Sequence, residues 1–281
     1  MVKIISCTDL QSWVKRQKKQ ERTVGFVPTM GYLHEGHLSL VKAAKETSDV
    51  VVVSIFVNPT QFGPNEDFEQ YPRDYDRDLM LLEKAGVDVV FLPSVSELYP
   101  EGFDTYVVTE TLSTKLEGKS RPGHFKGVCT VVLKLMNLVN PDYMHMGQKD
   151  IQQCIVLKRM IQDLHIQTKL IIEPTIREND GLAKSSRNTY LSESERKEAI
   201  VLHQSLMFAK NCIDKKNHDV NSILDGMKKI INTAEKSKID YIAITDIKHL
   251  EPITSVQFPF IISMAVYIGH TRLIDNMLFE E

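Results

Sequence analysis

The 281-residue chain is poor in cysteine, with only Cys7, Cys129, Cys154 and Cys212, and no two of them share a CxxC spacing. That scatter excludes a disulfide framework and a paired-cysteine zinc or redox motif, and it suits reduced thiols in a cytoplasmic protein. Cys7 and Cys129 stand beside no base, so they read as packing residues rather than nucleophiles. No apolar run approaches the ~18 residues that span a bilayer. Residues 1–6 lack the long apolar core and cleavage site of a signal peptide. Surplus charge is missing too: 34 basic against 37 acidic residues leave a net −3. Without a positive field to hold a nucleic-acid backbone, any substrate phosphate must be met locally. Internal repeats, low-complexity tracts and long linkers are also lacking. The expectation is a cytoplasmic protein without nucleic-acid or membrane partners.

What is present is ordinary globular composition, 42% hydrophobic and 25% charged, in a chain long enough for one large or two modest domains. The first 175 residues alternate strand-like and helix-like segments. Residues 50–57 are a continuous β-branched run that suits a strand covered on both faces, 24–27 is a short apolar run, and 87–92, 142–146 and 169–172 read as further strands. Helical spacing follows at 74–85, 128–139 and 151–164, with a stop at Asn140-Pro141. This alternation predicts an α/β fold, a Rossmann-like parallel sheet with helices on both sides. From residue 176 the character changes. One long helix over 192–214, a second over 221–237 and three short strands at 240–245, 260–267 and 272–274 predict a smaller C-terminal α+β domain. The expected division is 1–175 and 176–281.

The most informative stretch is Pro28-Thr29-Met30-Gly31-Tyr32-Leu33-His34-Glu35-Gly36-His37, between a strand and a helix in which Leu38, Val41 and Ala44 share a face. Strand, glycine turn and helix start is a layout that aims backbone N–H groups at a phosphate. His34 and His37, three residues apart, point the same way and can donate to a triphosphate. Two plainer readings compete: a turn with solvated histidines, and two ligands of a zinc site whose remaining ligands lie far off in the chain.

Three further loops are polar. In residues 58–63 Pro59 ends a strand and leaves Asn58 and Gln61 as amides at its tip, suited either to a hydroxy acid or to self-stabilisation of the loop. In Gly147-Gln148-Lys149-Asp150, Asp150 can cap the next helix and Lys149 can reach a phosphate as a point charge. Gln152 and Gln153 follow in the first turn, and one of them must face the crevice beyond the strands. Residues 178–188 place Ser185 and Ser186 between Lys184 and Arg187, which reads as a pyrophosphate clamp, a lid or an exposed basic run. Ligands of such folds sit beyond the carboxyl ends of the strands, where these loops emerge.

Residues 28–40, 54–63, 71–73, 123–135, 147–153 and 180–191 occur in an order and spacing that resembles the pantoate–β-alanine ligase family of the HxGH nucleotidyltransferase superfamily. The resemblance implies ATP-dependent condensation of pantoate with β-alanine, through a pantoyl adenylate, to give pantothenate, AMP and pyrophosphate. It implies an ATP site made of Met30, Gly31, Tyr32, Leu33, His34, Glu35, Gly36, His37, Gly147, Gln148, Lys149, Asp150, Ile176, Lys184, Ser185, Ser186 and Arg187. Among these His37, His34, Lys149 and Arg187 would be catalytic, His37 in a proton-donor position. Gln61 and Gln153 would hold pantoate, and Gln61 would border β-alanine. Mg²⁺ would accompany ATP, with Asp78 as a contact, and the protein would be a homodimer. Lys184 stands where the family usually has an apolar residue, and Gln148 where Glu is common. Three rival classes share parts of the pattern: a simple nucleotidyltransferase, a truncated aminoacyl-tRNA synthetase and a nucleotide sensor without turnover.

Overall fold

The computed structural model describes residues 1–64 and 66–280. In chain order the first elements are β1 (Val2–Ile4), α1 (Cys7–Lys19), β2 (Val24–Thr29), α2 (Glu35–Thr47), β3 (Val50–Ile55), α3 (Tyr75–Lys84), β4 (Val89–Phe91) and α4 (Val95–Leu98). There follow α5 (Glu117–Ser120), α6 (His124–Val139), β5 (Tyr143–Gly147), α7 (Ile151–Asp163) and β6 (Lys169–Glu173). The remainder is α8 (Glu193–Glu198), α9 (Val201–Asp214), α10 (Val220–Ile231), β7 (Ser237–Asp246), β8 (Phe260–Ile268) and β9 (Thr271–Phe279).

The chain divides into two compact units that interleave in sequence. The first comprises Met1–Ser113, Arg121–Gln148 and Gln152–Pro174; the second comprises Thr114–Ser120, Lys149–Ile151 and Thr175–Glu281. In the first unit the strands lie in the order β1-β4-β3-β2-β5-β6 and all pairings are parallel. The chain runs outward from β2 to β3 and β4, then returns to the other side of β2 with β5. β2 therefore stands at the switch point, where crossovers leave in opposite directions and a crevice opens beyond the carboxyl ends. The loops after β2, β3 and β5 leave from three adjacent strand ends.

Strand alternation sorts the core. Val27, Val51, Val53 and Ile55 point to one face and pack with Leu40, Val41 and Ala44 of α2 and Leu82 of α3. Phe26 is buried on the other side of β2, where α1 and α6 meet the strand and one another. α6 is buried around most of its circumference, as an apolar helix must be. It stops at Asn140, which takes a left-handed conformation at φ 42°, before Pro141.

The second unit is an antiparallel sheet β7-β8-β9, with α9 and α10 packed on each other and on its strands. Leu202, Leu206, Ile223, Met227, Ile262, Met264, Leu273 and Phe279 belong to its core. Leu273 and Phe279 thus place the odd-numbered residues of β9 on the helix side and the even-numbered ones on the other. That other face is met by the inserted segments. Arg272 forms paired hydrogen bonds to Glu117 at 2.7 and 2.9 Å, and Asn276 donates to the Lys149 carbonyl at 2.9 Å.

Two expectations change, and two elements are new. The helix over 192–214 is two, α8 and α9, separated at Ala199 and Ile200. Both residues keep right-handed helical dihedrals, so the apolar period runs through a turn that no glycine or proline marks. The helix expected to reach residue 237 ends at Ile231, where the Ser237 hydroxyl donates to the carbonyls of Ile231 and Ala234. The N-terminal β1 and α1, unread in the sequence, form an edge strand and a helix capped by the Ser6 hydroxyl.

Candidate active site

The β2–α2 turn is held from beneath. Gly31 has φ 83° and Tyr32 φ 50°, and a Cβ on Gly31 would lie 2.8 Å from Ile55 Cγ2, so only glycine fits. Asp78, fully buried at the start of α3, accepts from the amides of Tyr32 and Leu33, each at 2.7 Å. Burial raises its pKa, while the two amides pull the other way. Both carboxylate oxygens thus face backbone donors, and the side chain is only 1% exposed. Asp78, expected from the resemblance as a contact of Mg²⁺, anchors the turn through both of its oxygens. The turn's amides are correspondingly engaged within the protein, with Gly31 donating to the Thr29 hydroxyl at 3.2 Å. The backbone amides of residues 31–33 are thus already engaged, and the groups of this turn left to meet a ligand are side chains.

Those side chains are fixed by a reciprocal cap. His34 is the N-cap of α2, and its Nδ1 accepts from the Gly36 amide at 3.1 Å. His37 Nδ1 accepts in turn from the His34 amide at 3.3 Å, and the two rings lie 4.1 Å apart. An imidazole nitrogen that accepts from an amide carries no proton, so each neutral ring bears its N–H on Nε2. Gly36 is required because a Cβ there would lie 2.9 Å from His34 Cε1. The spacing His-x-Gly-His is therefore the sequence form of a capping box that presents two oriented N–H donors.

The β3 loop is equally constrained. Asn58, 1% exposed, donates to Gln61 Oε1 at 3.1 Å and to the Gly127 carbonyl at 3.2 Å. Its own Oδ1 accepts from the Thr60 amide and hydroxyl and from the Tyr99 hydroxyl. The Gln61 amide nitrogen lies 3.1 Å from Met30 Sδ, which joins this loop to the histidine turn. α6 presses on the same loop: a Cβ on Gly127 would come within 2.3 Å of the Thr60 carbonyl oxygen. His124 Nδ1 lies 2.8 Å from the Gln61 carbonyl, which can only accept, so that nitrogen carries the proton. Arg121 then faces His124 Nε2 at 3.2 Å and is itself paired with Glu66. Glu66, Arg121 and His124 form a polar brace behind Gln61.

Gln152 is buried and donates to the Leu112 carbonyl at 3.0 Å, whereas Gln153 is half-buried. Gly147 ends β5, and a Cβ there would meet nothing within 4 Å. Gln148, Lys149 and Asp150 form a single 3₁₀ turn.

In the second unit, residues 176–184 form a hairpin in which Lys184 N donates to the Ile176 carbonyl at 2.9 Å and Arg177 bridges Ala183. Arg177 makes a two-pronged pair with the buried Asp275 at 2.6 and 2.9 Å. Lys184 lies 3.4 Å from Glu178, a contact that a family-typical apolar residue would not make. Ser185 caps the 3₁₀ turn Ser186–Tyr190 by accepting from the Arg187 amide, and Ser186 is buried. Lys149 lies 3.7 Å from Asp150.

Among the described residues no group of three or more His, Cys, Asp or Glu side chains could hold a metal ion, so His34 and His37 have no zinc partners there. No helix among the described residues is long and apolar enough to cross a membrane. Burial pushes the Cys129 thiol up to about 12 and the Cys7 thiol to about 11, which suits packing rather than nucleophilic roles. Sequence reasoning missed Asp78 as an anchor and the brace of Glu66, Arg121 and His124. Only the glycine–histidine pair before an apolar helix hinted at the brace.

A family model described as pantoate-beta-alanine ligase matches residues 3–278. The chain belongs to the pantoate–β-alanine ligase family. It is 51% identical over 280 residues to the pantothenate synthetase of Caldicellulosiruptor saccharolyticus, a match covering 100% of both chains. Its fold matches the crystal structure of a pantothenate synthetase from Thermus thermophilus with a TM-score of 0.95, at 42% identity and 100% coverage of each chain. A pantoate-beta-alanine ligase of Francisella tularensis, solved as a complex with beta-gamma ATP and beta-alanine, matches with a TM-score of 0.83 and 39% identity, over 99% of this chain and 97% of that one. The α/β architecture with its small antiparallel domain is the family's fold. The chain is an enzyme, and its activity is the ATP-dependent ligation of pantoate to β-alanine.

Proposed function

We propose that ligation proceeds by adenylation of pantoate on the β2–α2 turn, followed by attack of β-alanine on the acyl adenylate. The observation that carries this reading is the tautomer lock of His34 and His37, which supplies two preoriented N–H donors of the kind that stabilise charge on a reacting phosphate. The pantoate carboxylate attacks the α-phosphorus of ATP, the bond to pyrophosphate breaks, and the charge leaves on pyrophosphate. His34 and His37 donate to phosphate oxygens and orient them, with little covalent work left to the protein. His37, in the proton-donor position of the family, shares its proton with the departing group. The amine of β-alanine then attacks the acyl carbon, loses a proton, and AMP departs with the electrons of the acyl–oxygen bond.

Gln61 receives pantoate. Its amide is held between Asn58 and Met30 Sδ, and its peptide is braced by His124, so its orientation is set before substrate arrives. Gln153 supplies a second amide for pantoate, and Gln61 also borders β-alanine. Met30, Gly31, Tyr32, Leu33, Glu35 and Gly36 shape the nucleotide site, with Gly147, Gln148, Asp150 and Ile176. Lys149, Lys184, Ser185, Ser186 and Arg187 supply cations and hydroxyls for the β- and γ-phosphates. Mg²⁺ would accompany ATP and would supply charge neutralisation at the phosphates; among the described residues no group of three or more His, Cys, Asp or Glu side chains forms a separate cage for it. We further read the protein as a cytoplasmic homodimer.

The test is isotope exchange. Labelled pyrophosphate should enter ATP when pantoate is added without β-alanine, and AMP should accumulate only when both acids are present. Exchange that ignores pantoate would overturn the adenylate reading.

A further inference from the structure

Two loops carry the cations assigned above to the leaving pyrophosphate, and they are separate in sequence: Lys149 on one, Lys184 and Arg187 on the other. Both are mounted on one dipeptide of β9. Asp275 and Asn276 are each only 2% exposed, an unusual burial for polar side chains that must therefore have partners. Their side chains leave the strand on opposite faces. Asp275 points to the helix side and grips Arg177 through two hydrogen bonds of 2.6 and 2.9 Å. Arg177 opens the hairpin that closes at Lys184 and also donates to the Gly181 carbonyl at 3.0 Å. The 3₁₀ turn Ser186–Tyr190 that follows packs against β9 as well. Asn276 points the other way, and its amide nitrogen donates to the Lys149 carbonyl at 2.9 Å. The strand also ties the pair internally, since the Asn276 backbone amide donates to Asp275 Oδ1 at 2.8 Å.

We propose that Asp275 and Asn276 are positioning residues for adenylation, which set the separation of Lys149 from the 184–187 segment through one rigid strand. A pair of loops held independently would let that separation drift, whereas adjacent residues of a paired strand hold it to fractions of an ångström. The inference rests on the assignment of those cations to pyrophosphate. It predicts that loosening either arm weakens pyrophosphate binding and leaves pantoate binding alone.

The experiment is a double-mutant cycle between Asn276→Asp and Lys149→Ala, read by pantoate-dependent pyrophosphate exchange. Asn276→Asp keeps the side-chain shape and removes the donor to the Lys149 carbonyl. Alone it should raise the apparent Kd for pyrophosphate by about tenfold and the KM for pantoate by less than about twofold. In the Lys149→Ala background the same change should add less than about twofold, because an effect exerted through Lys149 disappears with it. Asn276→Ala, which also lacks the donor, should show the same pattern if the aspartate variant does not fold. Asp275→Asn should raise the pyrophosphate Kd, and Arg177→Ala should do so without adding to it. Additive effects in either pair, or equal losses for pantoate and pyrophosphate, overturn the proposal. Wild-type protein that fails to exchange pyrophosphate with pantoate present overturns the adenylate reading instead. Lys149→Ala with an unchanged pyrophosphate Kd overturns the assignment of that lysine, and the proposal with it.

Discussion

His37 Nδ1 accepts a hydrogen bond from the backbone amide of His34 at 3.3 Å, and this contact decides which nitrogen of the neutral His37 ring carries its proton. The proton must sit on Nε2. A histidine at this position is thus a helix-capping residue and a directed donor at once. His37→Ala should slow adenylation by two or more orders of magnitude, roughly 3 kcal/mol of barrier. His37→Asn, whose side-chain oxygen can still accept from His34, should fold like wild type and recover little of that rate. Single-turnover formation of pyrophosphate measures both, and a near-normal rate in His37→Ala would remove it from the mechanism.

Asp78 joins α3 to the same turn through the amides of Tyr32 and Leu33. Asparagine at this site offers one acceptor and sets an NH₂ group against the second amide. The mismatch should destabilise the fold by about 1–3 kcal/mol and lower kcat as well, because the histidines ride on that turn. Chemical denaturation and steady-state rates of Asp78→Asn test both effects. Unchanged stability would show that the anchor is dispensable.

Gln61→Ala should raise the KM for pantoate by about tenfold or more and leave that for ATP within about twofold. Gly127→Ala should mimic it from a distance. The added methyl would meet the Thr60 carbonyl at 2.3 Å and push α6 off the loop that carries Gln61. A stability loss of about 1–3 kcal/mol should accompany the change in pantoate affinity. Equal weakening of both substrates would count against the role given to this loop.

His203 in α9 has a buried Nδ1 without a partner, and burial holds its pKa below the ordinary 6.5, with Arg177 adding to the effect. The folded state therefore resists protonation that the unfolded chain accepts. Its contribution to stability is full above pH 6.5 and is lost as pH falls through the lower folded value. Thermal melts from about pH 8 to pH 5 should show wild type losing stability relative to His203→Gln on the acid side. Parallel curves would mean that His203 titrates alike in both states.

Cys129 and Cys7, with thiol pKa values of about 12 and about 11, should carry about one thiolate in 10⁴ and 10³ respectively at pH 8. A disulfide reagent added to native protein should leave both unmodified long after urea-unfolded protein has reacted fully. Fast labelling of Cys129 in the native state would contradict its burial.

Legibility follows the physics of each signal. The parallel sheet is readable because β-branched runs covered on both faces have no polar alternation, as in β3, and because helices between them keep a 3.6-residue period. The His34–His37 turn is readable because glycine, histidine and a helix start coincide within one short segment. Its backbone is not, since nothing local shows that a carboxylate 45 positions away takes two of its amides. The brace of Glu66, Arg121 and His124 is likewise assembled by a tertiary contact that spans 55 positions. Asn58 and Gln61 can both be named from their place around a proline at a strand end, whereas the hydrogen bond by which Asn58 orients Gln61 has no local signature.

The two short excursions of the chain, Thr114–Ser120 and Lys149–Ile151, lie on the face of the small sheet that the helices leave bare. Residues 175–281 consequently do not make a detachable module. Expressed alone, that stretch would keep Arg272 bound to Asp240 and lose Glu117, a carboxylate it holds at 2.7 Å. Fusion or domain exchange at the 174/175 boundary would have to carry both excursions along to keep the Glu117–Arg272 and Lys149–Asn276 contacts.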